Sequence, residues 1–344
     1  MSYDENSEPR DAVVWTDWKP LPYCVTPAQR LWIISNVHGR RGDLHRLLRL
    51  KDLSDFMHRR PYTDLLPGTR LVSLGNMIDY GRASFPLMRD LQDFAHENEI
   101  TFAGRSLYNG VERPECTLLW GEHEAYAYAC IYPDVSGQRL NLKTCLRRWE
   151  EMGGRATLNS VFSYTSYSKS FCNWLELRPH LQKMLSRYFS ALQRYFISQD
   201  VLLCPAGVPS GAWFEFFAPM LPVGEQDSWL NYRCPDPMKT YSFGVSDPNH
   251  SGRELFTIFG HSPVKLTEAQ AKKALAVNLD APLLALLELE PAAGNDPDKY
   301  HPEIPDEDKN RAYYRYRLTG TYSDDPDAIT PAAAAALLNA QTVS

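Results

Sequence analysis

The chain has 344 residues, is 44% hydrophobic with eight Trp, and carries a formal net charge of −6. A core of ordinary size is therefore available, while the acidic balance disfavours wholesale binding to nucleic acid or to anionic membranes. Seven cysteines (Cys24, Cys116, Cys130, Cys145, Cys172, Cys204 and Cys234), odd in number and without a CxxC pair, exclude a disulfide framework or a zinc ribbon.

In chain order, the opening "MSYDENSEPRDAVVW" is polar, with no basic or apolar segment of a signal peptide. No apolar run reaches the ~20 residues of a membrane span. A cytoplasmic protein is the expectation. Short apolar runs then recur, each ending in turn chemistry: "LWII" (31–34), "RLVSL" (70–74), "TLLW" (117–120), "VLLC" (201–204) and "LFTIF" (255–259). Four or five apolar residues closed by a turn fit strands buried on both faces of a layered α/β protein. After the first run, Leu44, Leu47 and Leu48 give a helical stripe that Asp43 is placed to cap, with Arg40, Arg41, Arg46 and Arg49 mostly off it as a solvated face. From about 140 to 200 the pattern is helical, as a cap on the sheet would be. "ALAVNLDAPLLALLELEP" (274–291) reads as two closing strands around a turn. Beyond Pro291 the composition turns to Pro, Asp, Glu and Ala, a polar linker and tail with a further strand at "RAYYRYRLTGTY".

The loops after the five runs carry the functional signal. They read Asn36-Val37-His38-Gly39, Gly75-Asn76-Met77-Ile78-Asp79-Tyr80-Gly81, Gly121-Glu122-His123-Glu124, Cys204-Pro205-Ala206-Gly207-Val208, and Gly260-His261-Ser262-Pro263-Val264. This order resembles the calcineurin-like metallophosphoesterases of the phosphoprotein phosphatase family. In particular it is similar to the bacterial branch with the symmetrical diadenosine-tetraphosphate hydrolases, which shows GDxHG, GDxxDRG, GNHE, HAGV and GHTPV. "WEEMGGRATLNS" (149–160) is similar to a further segment of that branch. The resemblance implies a four-layer α/β sandwich of two mixed β-sheets flanked by helices, with a helical cap insertion. It places the fold at 29–290, with an extension at 1–28 and the linker and tail at 291–344.

The resemblance also implies a site for two bridged divalent metals, which activate water and clamp phosphoryl oxygens. The family's six metal positions fall on Asn36, His38, Asn76, Glu122, Pro205 and His261. An Asn offers one neutral carbonyl oxygen and cannot bridge two cations, and Pro205 offers no side-chain ligand. The two phosphate-clamping Arg positions fall on Tyr80 and Trp120, neither of which gives a bidentate donor. Asp79 and His123 fall on the dyad that protonates the leaving group. Even the loss of a group that only orients a ligand costs roughly 10- to 100-fold in affinity or rate. Here several ligands are gone together, so the expectation is a pseudophosphatase. It would have no cofactor and a vestigial Asp79–His123 dyad. It would act as a scaffold or regulatory protein for a protein partner, with room for a phosphate or nucleotide ligand. The alternative is a weakly active phosphoesterase with one Mn or Zn ion at His38, Glu122 and His261, with Asp79 in reach. Structurally, His38 and His261 can equally be hydrogen-bonded residues at strand ends.

Overall fold

The structure, a computed structural model, describes residues 13–16, 19–21, 29–48, 69–97, 107–108, 111–112, 115–133, 142–165, 174–205, 245–246, 254–260, 274–276, 284–291 and 314–321. In chain order its elements begin with β1 (Val13–Trp15), β2 (Lys19–Pro20), β3 (Arg30–Ile34), α1 (Arg41–Leu47), β4 (Thr69–Ser73) and α2 (Ser84–Glu97). A small pair, β5 (Leu107–Tyr108) and β6 (Val111–Glu112), precedes β7 (Glu115–Leu119) and four helices. These are α3 (Glu122–Ile131), α4 (Leu142–Glu151), α5 (Gly154–Tyr164) and α6 (Trp174–Ala191). The second half supplies β8 (Leu192–Gln193), β9 (Phe196–Ser198), β10 (Val201–Cys204), β11 (Val245–Ser246), β12 (Glu254–Phe259), β13 (Ala274–Ala276), β14 (Leu284–Pro291) and β15 (Tyr314–Thr321).

Two mixed sheets result. The first runs β1-β15-β14-β3-β4-β7-β8, with β2 also on β15, and the second runs β11-β12-β10-β9, with β13 also on β12. Strands β3, β4, β7 and β8 are parallel, while β14, β15 and β1 continue that sheet antiparallel. In the second sheet β10, β12 and β13 are parallel.

Side-chain alternation places the layers. Leu31 and Ile33 of β3 join Val72, Leu119 and Leu287 of the first sheet and Val201, Leu203, Phe256 and Ile258 of the second in one core between the sheets. Trp32 and Ile34, one residue out of phase, face the opposite way into a core with Leu44, Leu91, Cys130, Trp149 and Leu185 of the helices. A strand with apolar residues at every position is therefore explained by burial on both faces. Leu202, Cys204, Leu255, Thr257 and Phe259, on the other face of the second sheet, are buried as well. This is an α/β sandwich, two mixed sheets with flanking helices, and α4, α5 and α6 belong to the helical layer over the first sheet.

Three expectations need correction. The fold is not confined to 29–290, because β1, β2 and β15 are hydrogen-bonded members of the first sheet and Leu318 lies in the core between the sheets. The strands within 274–291 do not close one sheet: β13 pairs with β12 and β14 with β3 and β15. Asp43 does not cap α1 but sits inside its first turn, where its charge still favours the helix N-terminus. The arginines at its start are also anchored. Arg41 pairs with buried Asp90 at 2.6 Å, and Arg40 donates to the carbonyls of Asn36 and Val37 at 3.3 Å each.

Candidate functional site

The carboxyl ends of β3, β4, β7, β10 and β12 lead into the loops singled out above, the position where open α/β sheets bind ligands. The first two loops extend the β3–β4 ladder beyond the strands. The backbone N–H of Asn36 donates to the Gly75 carbonyl at 3.1 Å, that of His38 to Asn76 at 3.1 Å and that of Gly39 to Met77 at 2.7 Å. Asn36, His38, Asn76, Asp79 and Tyr80 all have positive φ, between 50° and 74°. Asn and Asp tolerate this region, whereas a Tyr held there marks a strained turn. Gly75, at φ 94°, lies against Gly121, and a Cβ on Gly121 would collide with the backbone nitrogen and Oδ1 of Asn76. Both positions need glycine for the third loop to approach the second.

Glu124 locks that approach. Its buried carboxylate accepts the backbone N–H of Asn76 at 2.8 Å, Met77 at 2.8 Å and Ile78 at 3.3 Å, and the hydroxyl of Tyr188 on α6 at 3.4 Å. Burial raises its pKa, against the nearby His123 and those N–H donors. Glu124 stands within the third motif, where its one signal in the sequence is a charged residue two positions into a helix that packs in the core.

Asp79 and His123 form a buried pair, with Nδ1 of His123 2.8 Å from Oδ2 of Asp79. Asp79 also accepts from Trp149 Nε1, 3.2 Å from each oxygen, and from Thr157 Oγ1 at 2.6 Å. Burial works against a charge on His123, but the Asp79 hydrogen bond and charge, then Glu124 and Glu122, outweigh it and raise its pKa. Its ring stands 4.6 Å, edge to face, from that of His38, whose Nδ1 lies 3.1 Å from the Ile78 carbonyl. A carbonyl only accepts, so Nδ1 of His38 carries a proton.

Asn36 and Asn76 meet directly, Nδ2 of Asn76 donating to Oδ1 of Asn36 at 2.8 Å, while Oδ1 of Asn76 accepts the backbone N–H of His123 at 3.3 Å. Glu122 is buried in the first turn of α3, next in sequence to His123. Pro205 stands beside Gly260, whose N–H donates to its carbonyl at 3.1 Å, and Gly260 in turn approaches Ser35. His261 lies outside the described residues, and the His38, Glu122, His261 trio with it. Of the two former clamp positions, Tyr80 is 60% exposed and packs edge-on to His38 and His123. Trp120 turns away into the helical layer, stacked on Phe189.

On donor chemistry, a carboxylate-bridged pair of divalent ions does not fit these residues. Both polar side-chain atoms of Asn76 are spent on protein partners, and Pro205 offers only a carbonyl that Gly260 already uses. Among the described residues no three His, Cys, Asp or Glu side chains are gathered for one metal. Among those residues no helix is long and apolar enough to cross a membrane.

No protein-family model matches the chain, and no curated protein matches its sequence. Among solved structures it is similar to a protein serine/threonine phosphatase from Saccharomyces cerevisiae with similarity to human phosphatase PP5, at 14% identity over 90% of this chain and 86% of that one, TM-score 0.46. It is also similar to a cold-active protein-tyrosine phosphatase of a psychrophilic Shewanella species, at 15% identity over 78% of each chain, TM-score 0.39. A third likeness is to a metallophosphoesterase from Sphaerobacter thermophilus, at 14% identity over 91% of this chain and 92% of that one, TM-score 0.32.

Proposed function

We propose that this chain is a pseudophosphatase, a phosphoesterase-like fold that binds at its cleft without hydrolysing and serves a protein partner as scaffold or regulatory subunit. The observation that carries the reading is the 2.8 Å hydrogen bond between the Asn36 and Asn76 side chains. Two carboxylates at that separation repel unless a cation or a proton lies between them. Two amides satisfy one another and close the gap with no ion. The Asn36–Asn76 pair thus needs no metal, where two carboxylates at this separation would.

The remaining residues support a scaffold rather than a reaction. Asp79, His123, Trp149 and Thr157 form a buried hydrogen-bonded network, which rigidifies the 75–81 loop. Glu124 does the same from α3. A general acid such as His123 contributes roughly 10²- to 10⁴-fold only when a nucleophile is present to use it.

Elemental analysis of the purified protein for Mn, Fe, Zn and Mg, with assays on an aryl phosphate and on diadenosine tetraphosphate with added Mn²⁺, tests the proposal. Substoichiometric metal and turnover at blank level are expected. Stoichiometric metal with turnover above blank overturns it in favour of the single-ion enzyme. The combined variant Asn36→Asp, Asn76→Asp, Glu122→Asn and Pro205→His is expected to regain metal binding.

A further inference from the structure

The amide pair has a direction, and that direction leaves one donor over. The backbone N–H of His123 can only donate, so the atom of Asn76 facing it is Oδ1. Nδ2 of Asn76 then faces Asn36, so the atom of Asn36 that receives it is Oδ1. Flipping either amide sets a donor against a donor, so the chain of three groups admits one assignment. Nδ2 of Asn36 therefore points away from Asn76. It is buried on a residue only 1% exposed and has no hydrogen-bond partner among the described residues.

A buried amide N–H without an acceptor costs about 1–3 kcal/mol, and it sits at the first of the six metal positions implied by the motifs. The chemistry wanted there is the reverse of a metal site: an oxygen acceptor in place of a cation. The charge beside it agrees, because the guanidinium of Arg40 donates to the Asn36 carbonyl at 3.3 Å. Of the nearby carboxylates, Asp79 accepts from His123, Trp149 and Thr157, and Glu124 accepts three backbone N–H groups. Glu122, close enough to His123 to help raise its pKa, is the third carboxylate of this neighbourhood.

We infer that the cleft holds a small oxyanion directly and without metal, Nδ2 of Asn36 donating to one of its oxygens. The inference rests on the metal-free reading above and adds the ligand's polarity and the atom that reads it. Phosphoryl and carboxylate groups share this chemistry, so inorganic phosphate and acetate serve as parallel probes.

Isothermal titration with each probe in the presence of EDTA tests it on the wild type, Asn36→Asp and Asn36→Gly. Both substitutions accept the left-handed φ of 55° at this position, so each should fold, and circular dichroism checks that they do. Asp keeps the shape and replaces the donor by a charged acceptor, while Gly removes the side chain. Saturable binding of either probe to the wild type is expected, weakened at least about tenfold in both variants. The probe bound more tightly identifies the source. Equal binding by all three proteins overturns the inference. So does the absence of binding, which means that Nδ2 is merely hydrated and leaves the pseudophosphatase reading standing. Binding that appears only when Mn²⁺ replaces EDTA overturns both.

Discussion

Trp149 on α4 and Asp79 in the loop after β4 are joined by one indole N–H placed 3.2 Å from each carboxylate oxygen, across 70 residues of sequence. The helical layer thereby fixes the strand-end loop from above. Trp149→Phe keeps the ring in its packed site and removes that donor from a buried carboxylate. A loss of about 1.5–3 kcal/mol is expected, read as a lower urea midpoint with an unchanged slope. A midpoint equal to wild type would mean the bond contributes nothing.

The raised pKa of His123 makes stability depend on pH. The folded protein holds this proton more tightly than the unfolded chain does. The resulting contribution is present in full below the ordinary histidine value of about 6.5 and is lost as the pH climbs through the folded pKa. Denaturation of wild type and His123→Gln from about pH 5 to about pH 9 should show the advantage of the wild type shrinking as pH rises. A constant difference across the series contradicts this.

Gly121 lies where two loops cross. A methyl group there meets backbone and side-chain atoms of Asn76 together with a Glu124 oxygen, so no flexible side chain can yield. Gly121→Ala is expected to cost more than about 3 kcal/mol, in the upper range for single substitutions. Gly42, with open space around its Cα, is the matched control, and Gly42→Ala should differ from wild type by about 0.5 kcal/mol or less. Thermal melts of the two variants decide the matter.

The amide pair predicts non-additivity. Asn36→Asp alone keeps an acceptor for Asn76, and Asn76→Asp alone is met when the Asn36 amide turns its N–H₂ inward. Both together set two carboxylate oxygens at hydrogen-bond distance. In EDTA the double variant should be less stable than the sum of the singles by about 0.5–3 kcal/mol. Mn²⁺ or acid should recover the difference, since a cation or a shared proton resolves the repulsion. Additive losses, unchanged by either, would show that the pair does not govern the site.

Much of this was legible in the sequence because burial on both faces writes strands as plain apolar runs. β3, β4, β7, β10 and β12 all lie where such runs occur. α2 was equally legible from Leu87, Met88, Leu91 and Phe94, which recur at helical spacing and are buried. Strands of two or three residues, such as β2, β8 and β9, have no periodicity to read, and only their partners make them strands. At the site, the Asp79–His123 pair was implied by the resemblance, and the two side chains are hydrogen-bonded. The other donors to Asp79 were not implied, because Trp149 and Thr157 reach it across 70 and 78 residues. Both fall in the "WEEMGGRATLNS" segment, whose letters do not say what they contact. The direction of the Asn36 amide had no signal in the sequence, since it is set by the backbone of His123.

The seating of β15 beside β14 bears on how small this protein can be made. Eight residue pairs join the two strands from Leu284↔Thr321 to Pro291↔Tyr314, and β1 closes the far side of β15. A fragment cut at the limits of the recognisable motifs would keep every candidate functional loop. It would also bare one full edge of β14 and uncover Leu287 and Leu289 where Leu318 had packed. Unpaired edges of that kind recruit other chains. Such a fragment should therefore aggregate rather than report on the cleft, and the two ends of the chain behave as the clasp that keeps the first sheet solitary.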